Sequence, residues 1–428
     1  MRIGNVLDTK KSVKIGALLL AAGLVLSSGV SVKADETGGE QLPKQVTFSD
    51  ISKHWAKSSI EQAMKKGYVN GYADGTFQPN RQISRAEFTK MLVSALGLTV
   101  EPSVDGGKWY DPYFAAASKA DITSASEFNN NVDKPLTRLE MSRLAMKALG
   151  KKLTGYEPER HEVGHTFDEF KAEGDDHYNP KKFVLYAAQT GVIGGVAPGV
   201  IAPDNTTTRA ESITVIERIL TVKNGGKLKV DKYAVQAAEL YWHKTNVFSV
   251  MPEFFADGVA HYDPNKLTVE SEDKNYKSVI DSVIAIDLAD PNDPNLELLP
   301  PVKNLRWYAR ANKPGIPLDK FMNSYLLYIQ GRVVKADGGY ARFAGSSKIE
   351  TYIDRPFTAN IEDFWNGKLV NIASVFVEGG QIDDRELYLF PKKGLKVDPT
   401  KGSLTLYLEV PGIGIIQHDP VLSGWPNF

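Results

Sequence analysis

The sequence predicts a multidomain protein: an all-α trio of repeated units followed by a β-rich or α+β C-terminal domain. Three observations lead there. A segment recurs three times between residues 48 and 220 with apolar residues at helical spacing, alternating apolar runs follow residue 222, and the N-terminus has the layout of an export signal. The 428 residues carry 51 basic and 52 acidic side chains, so no net field favours nucleic acid or an anionic membrane. A hydrophobic content of 42% with 10% aromatics suits folded protein. The absence of cysteine excludes disulfides, thiolate metal sites and cysteine nucleophiles, and leaves stability to packing.

Arg2, Lys10, Lys11 and Lys14 precede the apolar run IGALLLAAGLVLSSGVSV, and Val32 and Ala34 stand where signal peptidase favours small residues. Residues 1–34 therefore read as a signal peptide cleaved after Ala34, and 35–47 as a linker. An uncleaved anchor is the weaker reading, because the run turns to Ser and Gly in its second half. No later stretch approaches a membrane span, so no membrane partner is expected of the mature chain.

The repeated segments end in SRAE, TRLE and TRAE, beginning at Ser84, Thr137 and Thr208. Behind each Glu, apolar residues mark one helical face: Phe88, Met91, Leu92, Ala95 and Leu96, then Met141, Leu144, Ala145, Ala148 and Leu149, then Val215, Ile216, Ile219 and Leu220, with Ser212 as an exception. Upstream, each copy has an aromatic residue, a small residue and a turn: Trp55, Ala63 and Gly67; Trp109, Ala117 and Asp121; Tyr178, Ala187 and Gly191. Each unit reads helix, turn-rich loop, helix. The tetrapeptide itself is a capping box, in which the hydroxyl accepts from a first-turn amide and the Glu reaches back to the cap.

A capping box does not account for the arginine, whose charge faces the positive end of the helix dipole at a cost of roughly 0.3–1 kcal/mol. A guanidinium beside unpaired helix N-terminal amides suits a carboxylate or phosphate, and upstream aromatics suit the apolar face of a sugar ring. The competing expectation is that each arginine pairs with an acidic neighbour and each tryptophan is core.

The pattern FSD, HWA, DGTFQP and ISRAEF in the first copy resembles the S-layer homology (SLH) domain, and the three copies resemble the tandem trio of bacterial surface proteins. The resemblance covers about residues 48–220. It is weakest in the second copy, where Leu139 replaces the preferred Ala, and Tyr178 replaces Trp in the third. It implies a pseudo-three-fold helical bundle whose grooves bind secondary cell-wall polysaccharide, typically at a pyruvylated N-acetylmannosamine end. Carried over to this chain, the polysaccharide-binding residues are Arg85, Arg138 and Arg209, with Trp55, Trp109 and Tyr178 as aromatic partners and Asp50 and Gly71 in the best-preserved groove. A pyruvyl ketal supplies the carboxylate that the arginines call for.

Between the second and third copies stands HEVGH, His161 to His165, with the spacing of a zinc-peptidase helix. Its flanks argue for a loop: Pro158 and Glu159 precede it, Gly164 interrupts it, and Lys171 occupies the place of a third histidine. Glu169 and Glu173 follow too closely to come from a separate ligand helix. It reads as a chance motif in a linker.

Residues 222–428 carry one helical stretch, KVDKYAVQAAELYWHK, then strand-like runs such as SYLLYIQGRVVKA, KLVNIASVFVEG, RELYLF and GSLTLYLEVPGIGIIQ. Asp287, Asp290 and Asp293 lack EF-hand spacing and read as a solvated loop. There is no nucleophile elbow and no phosphate loop, and adjacent carboxylates such as Glu362 and Asp363, or Asp383 and Asp384, diverge on a strand. Trp242, Trp307 and Trp365 are candidates for a sugar site.

The organisation expected is 1–34 signal peptide, 35–47 linker, 48–98, 104–150 and 167–221 repeats, 151–166 linker, and 222–428 a β-rich domain of unknown task. The function expected is a secreted, non-catalytic surface protein anchored to the cell wall, with no cofactor or metal. The alternatives are a wall-anchored carbohydrate-active enzyme with its catalytic site in 222–428, and self-association of that segment in a surface lattice.

Overall fold

The computed structural model describes residues 48–103, 105–150, 179–254, 267–309, 314–337, 347–351, 362–378, 384–393, 404–410, 414–415 and 422–423. The expected signal peptide, both linkers, His161, His165, Tyr178 and Asp383 lie outside them.

Six helices come in three pairs: α1 (Lys57–Lys65) with α2 (Arg85–Ala95), α3 (Asp111–Lys119) with α4 (Arg138–Leu149), and α5 (Lys181–Gln189) with α6 (Arg209–Lys223). Ala63, Ala117 and Ala187 are fully buried, because a larger side chain there would part the helices. The turn residues Gly67, Asp121 and Gly191 have φ of 78°, 55° and 74°, the left-handed conformation that ends the first helix of each pair. Capping boxes start all three second helices: Ser84 with Glu87, Thr137 with Glu140, and Thr208 with Glu211.

The pairs close cyclically. α2 packs on α3, α4 on α5, and α6 on α1. At the centre, backbone bonds make a ring of three: Ile83 N–H donates to Thr207 O at 3.1 Å, Thr207 N–H to Leu136 O at 2.8 Å, and Leu136 N–H to Ile83 O at 2.9 Å. One apolar core runs through all six helices.

Helix α7 (Lys232–His243) extends this core, burying Ala234, Ala237 and Ala238 against it. A short helix α8 (Val247–Val250) then leads to a seven-stranded antiparallel sheet. Its strands are β1 (Thr268–Glu270), β2 (Tyr276–Asp287), β3 (Leu305–Trp307), β4 (Ile316–Pro317), β5 (Ser324–Ala336), β7 (Ala373–Val377) and β8 (Arg385–Pro391), in the order β1-β2-β5-β8-β7-β3-β4. A second sheet joins β6 (Ser347–Thr351), β9 (Leu404–Val410), β10 (Gly414–Ile415) and β11 (Leu422–Ser423). The large sheet is buried on both faces. Val283, Ala285, Leu327, Ile329 and Phe390 meet α8 on one side, while Ile284, Ile286, Leu326, Leu389 and Trp307 form a separate core on the other.

The two halves are joined without slack. Asn246, after α7, bonds both backbone groups of Ala285 on β2, and Val283 N–H donates to Lys244 O at 2.9 Å. The aspartate-rich loop is correspondingly a docking element, not the solvated loop expected. Asp290 accepts from Lys232 Nζ at 2.6 Å and Tyr233 Oη at 2.9 Å on α7, and buried Asp293 accepts from Asp287 N–H at 3.0 Å and Asn295 N–H at 2.9 Å. The bond from Lys232 holds the Asp290 carboxyl below its ordinary pKa, while burial raises that of Asp293. Among the described residues no group of three or more His, Asp or Glu is placed to hold a metal ion, and no helix is long and apolar enough to cross a membrane.

Candidate functional site

Each motif arginine reaches out of its own helix to the neighbouring pair. Arg85 Nη1 donates to Asn131 O at 3.0 Å, while its Nε and Nη2 donate to the two carboxylate oxygens of Glu140 at 3.2 and 2.6 Å. Arg138 Nη2 donates to Gly194 O at 2.7 Å and Nε to Ile201 O at 3.0 Å, and its Nη1 lies 3.7 Å from Glu211 Oε1. Arg209 donates to Asn70 O and, at 3.4 Å, to the Tyr72 hydroxyl, with its guanidinium 4.5 Å from the centre of the Phe77 ring. The penalty at the helix dipole is thus relieved by carrying the charge to carbonyls of the next copy.

The expectation of unpaired helix N-terminal amides is corrected. In α2 the Arg85 and Ala86 N–H groups donate to Lys134 O at 3.1 Å and Val132 O at 2.9 Å. In α4 those of Arg138 and Leu139 donate to Asn205 O and Pro203 O, both at 2.9 Å. In α6 those of Arg209 and Ala210 donate to Arg81 O at 2.8 Å and Pro79 O at 3.0 Å. The third amide of each helix goes to the Ser or Thr cap. Packing between copies consumes the donors that a ligand would need, so recognition falls to side chains.

The expectation that each arginine pairs with an acidic neighbour holds unevenly. Arg85 is fully paired with Glu140 and Arg138 stands off Glu211, but Arg209 makes no ion pair among the described residues. The carboxylate in the corresponding place, Glu87, pairs with Arg81 instead.

Two open cavities, of about 350 and 370 Å³, lie against these arginines. The first is lined by Trp55, Arg138, Gly194, Gly195, Glu211 and Arg218, among others; the second by Asn70, Tyr72, Glu87, Lys90, Trp109 and Arg209, among others. Trp55 and Trp109 are not core: they are 64% and 50% exposed. Burial lowers the guanidinium pKa of Arg138, Arg209 and Arg218 by disfavouring their charged forms. An anion that entered either cavity would return part of the lost stabilisation.

The structure therefore brings Arg138 to Trp55 and Arg209 to Trp109, and leaves Arg85 on its glutamate. Asp50 and Gly71 line neither cavity. The Asp50 carboxylate accepts from Phe77 N–H at 3.0 Å and Gln78 N–H at 2.7 Å, fixing the loop, and a Cβ at Gly71 would come within 2.2 Å of the Phe48 ring. Sequence reasoning missed Lys90, Arg218, Tyr72 and Asn70. None recurs as the same residue at its aligned position, so repeat matching carried no signal for them.

In the C-terminal half, Trp307 is fully buried between Phe321 and Phe364 and is not a sugar platform; Trp242 packs edge-on to Tyr186, while Trp365 is exposed. Asp363 pairs with Lys368 and Asp384 with Arg385.

The S-layer homology domain model matches residues 47–89 and 174–211. The chain carries S-layer homology domains. The SLH-bearing chain is a secreted protein of the bacterial cell surface. It is 31% identical over 109 residues to the S-layer protein sap of Bacillus anthracis, 24% of this chain and 13% of that protein. It is 35% identical over 190 residues to exoglucanase XynX of Acetivibrio thermocellus, 43% of this chain and 17% of that protein. It is 35% identical over 181 residues to an amylopullulanase of Thermoanaerobacterium thermosulfurigenes, 41% of this chain and 9% of that protein. The chain thus spans less than a fifth of the length of each of these relatives. The second helix pair lies outside both SLH matches, in keeping with the substitutions around Leu139.

Proposed function

We propose that residues 48–98, 104–150 and 167–221 form a pseudo-three-fold SLH anchor that holds the protein non-covalently on secondary cell-wall polysaccharide, displaying residues 222–428 outside the cell. The observation that carries this reading is the repeated pairing of an exposed tryptophan with an arginine in an open cavity, Trp55 with buried Arg138 and Trp109 with half-buried Arg209. The cyclic packing and the ring of backbone bonds support the pseudo-three-fold arrangement. A tryptophan face suits a sugar ring, and a desolvated guanidinium suits an acidic substituent such as a pyruvyl ketal. Co-sedimentation of the full chain with wall sacculi, before and after chemical removal of the secondary polymer, tests it. Retention should vanish with the polymer and fall in Arg209→Ala and Trp109→Ala; retention on stripped sacculi would overturn the reading.

The second reading, a wall-anchored carbohydrate-active enzyme, is favoured by the names of the relatives, an exoglucanase and an amylopullulanase. Release of reducing sugar from β-glucan or pullulan by the full chain would establish it.

A further inference from the structure

The three copies are unequal in one respect that the sequence motif conceals. In two of them the capping glutamate faces the motif arginine of another copy: Glu140 takes Arg85 in a two-point ion pair, and Glu211 stands 3.7 Å from Arg138. Glu87 is the third such glutamate, and it lines the Arg209 cavity without pairing with Arg209. Its Oε2 accepts from the Ser84 cap amide at 2.9 Å, and its Oε1 is taken by Arg81. The carbonyls that receive the first amide of each second helix align Arg81 with Lys134 and Asn205. Asn205 has no charge with which to draw Glu211 away, and Glu140 is already committed to Arg85.

We propose that Arg81 is a positioning residue that holds Glu87 off Arg209 and so keeps this one cavity free for an acidic group. With Glu87 neutralised by Arg81, Arg209 and Lys90 remain as two uncompensated cations beside Trp109 among the described residues. In the Arg138 cavity Glu211 offsets one of two arginines, and at Arg85 the glutamate offsets the only one. The cavities are therefore graded in charge, and the Arg209 cavity is the preferred seat of an anionic glycan end. This rests on the anchor reading above.

The test uses the full chain in a Trp55→Ala background, which silences the neighbouring cavity, titrated with soluble wall polysaccharide released from sacculi. Arg81→Gln should weaken binding about tenfold, the scale of one charge-assisted hydrogen bond, because Glu87 then turns to Arg209. Adding Glu87→Gln, which keeps the amide oxygen for the Ser84 cap, should restore it, and Arg81→Lys should bind like the parent. Rescue by Glu87→Gln separates positioning from direct recognition: had Arg81 itself held the glycan, neutralising Glu87 would not bring the affinity back. Unchanged binding in Arg81→Gln, or a double variant as weak as the single, overturns the proposal and leaves the anchor standing. Undiminished binding in Arg209→Ala and Trp109→Ala likewise overturns the proposal, whereas no binding of the polysaccharide by the unsubstituted chain overturns the anchor reading itself.

Discussion

Replacing Asn246 by alanine should loosen the joint between the helical half and the sheet by a predictable amount. The Asn246 Nδ2 donates to Ala285 O at 2.9 Å and its Oδ1 accepts from Ala285 N–H at 2.7 Å. Both residues are fully buried. The neighbouring strand β1 covers β2 only at Lys277 to Val279, so along Val283 to Ala285 the outer edge of β2 is satisfied by Lys244 and this one side chain. Alanine leaves a buried N–H and a buried C=O without partners at about 1–3 kcal/mol each, hence a destabilisation of about 2–6 kcal/mol. Chemical denaturation gives the total, and amide exchange at Ala285 reports whether the effect is local. Asn246→Asp should fare no better, since it removes the donor and sets a charge against a carbonyl. A destabilisation below about 1 kcal/mol, unaltered exchange at Ala285, or an Asp variant more stable than the Ala variant would refute the reasoning.

Arg143 is fully buried in α4 and pairs with buried Glu127, so Arg143→Met should cost about 3–5 kcal/mol in denaturant unfolding, with part regained by adding Glu127→Gln. Two groups on α7 give opposing pH dependence. Burial pushes the Glu239 carboxyl up from 4.5 to about 8, so the folded state holds a proton that the unfolded chain has released, and stability falls as pH rises through that window. Burial holds His243 down from 6.5 to about 4, so stability falls as pH drops from 6.5 toward 4. The slopes oppose each other between 4.5 and 6.5, giving a plateau there with a decline on each side, and Glu239→Gln should abolish the alkaline decline when unfolding is followed against pH. Chelation of divalent ions, and replacement of His161 and His165 by alanine, should leave retention on sacculi unchanged in the sedimentation assay.

Local chemistry was legible in the sequence, and pairings between distant segments were not. The capping boxes, the buried alanines and the left-handed turns each depend on a few neighbouring residues, and strands β5 and β8 and helix α7 appeared where their periodicity placed them. Strand β2 was harder to read. Its register skips Asp281 between Ile280 and Ser282, which shifts the side-chain alternation, and beyond the shift both faces are buried, so period two disappears. The arginines were recognised as residues needing an explanation, but whether each meets a glutamate depends on Arg81, Glu140 and Glu211 arriving from other copies. Asp50 was singled out by motif alone; its task of receiving two loop amides becomes visible only once residues 77 and 78 fold back on it.

The ring joining Ile83, Leu136 and Thr207 also bears on the order of events during export. A chain that emerges N-terminus first presents Ile83 long before Thr207, and helix α2 is next to α3 before α6 exists to cover α1. The first copy can cap its own helix and turn, but its inner edge stays open until the third copy has crossed. Closure is thus a late, long-range step, of the kind that slows folding. The cavities beside Arg138 and Arg209, each lined by residues of separate copies, would then be complete only after the helical half has been translocated, on the side of the membrane where the wall lies.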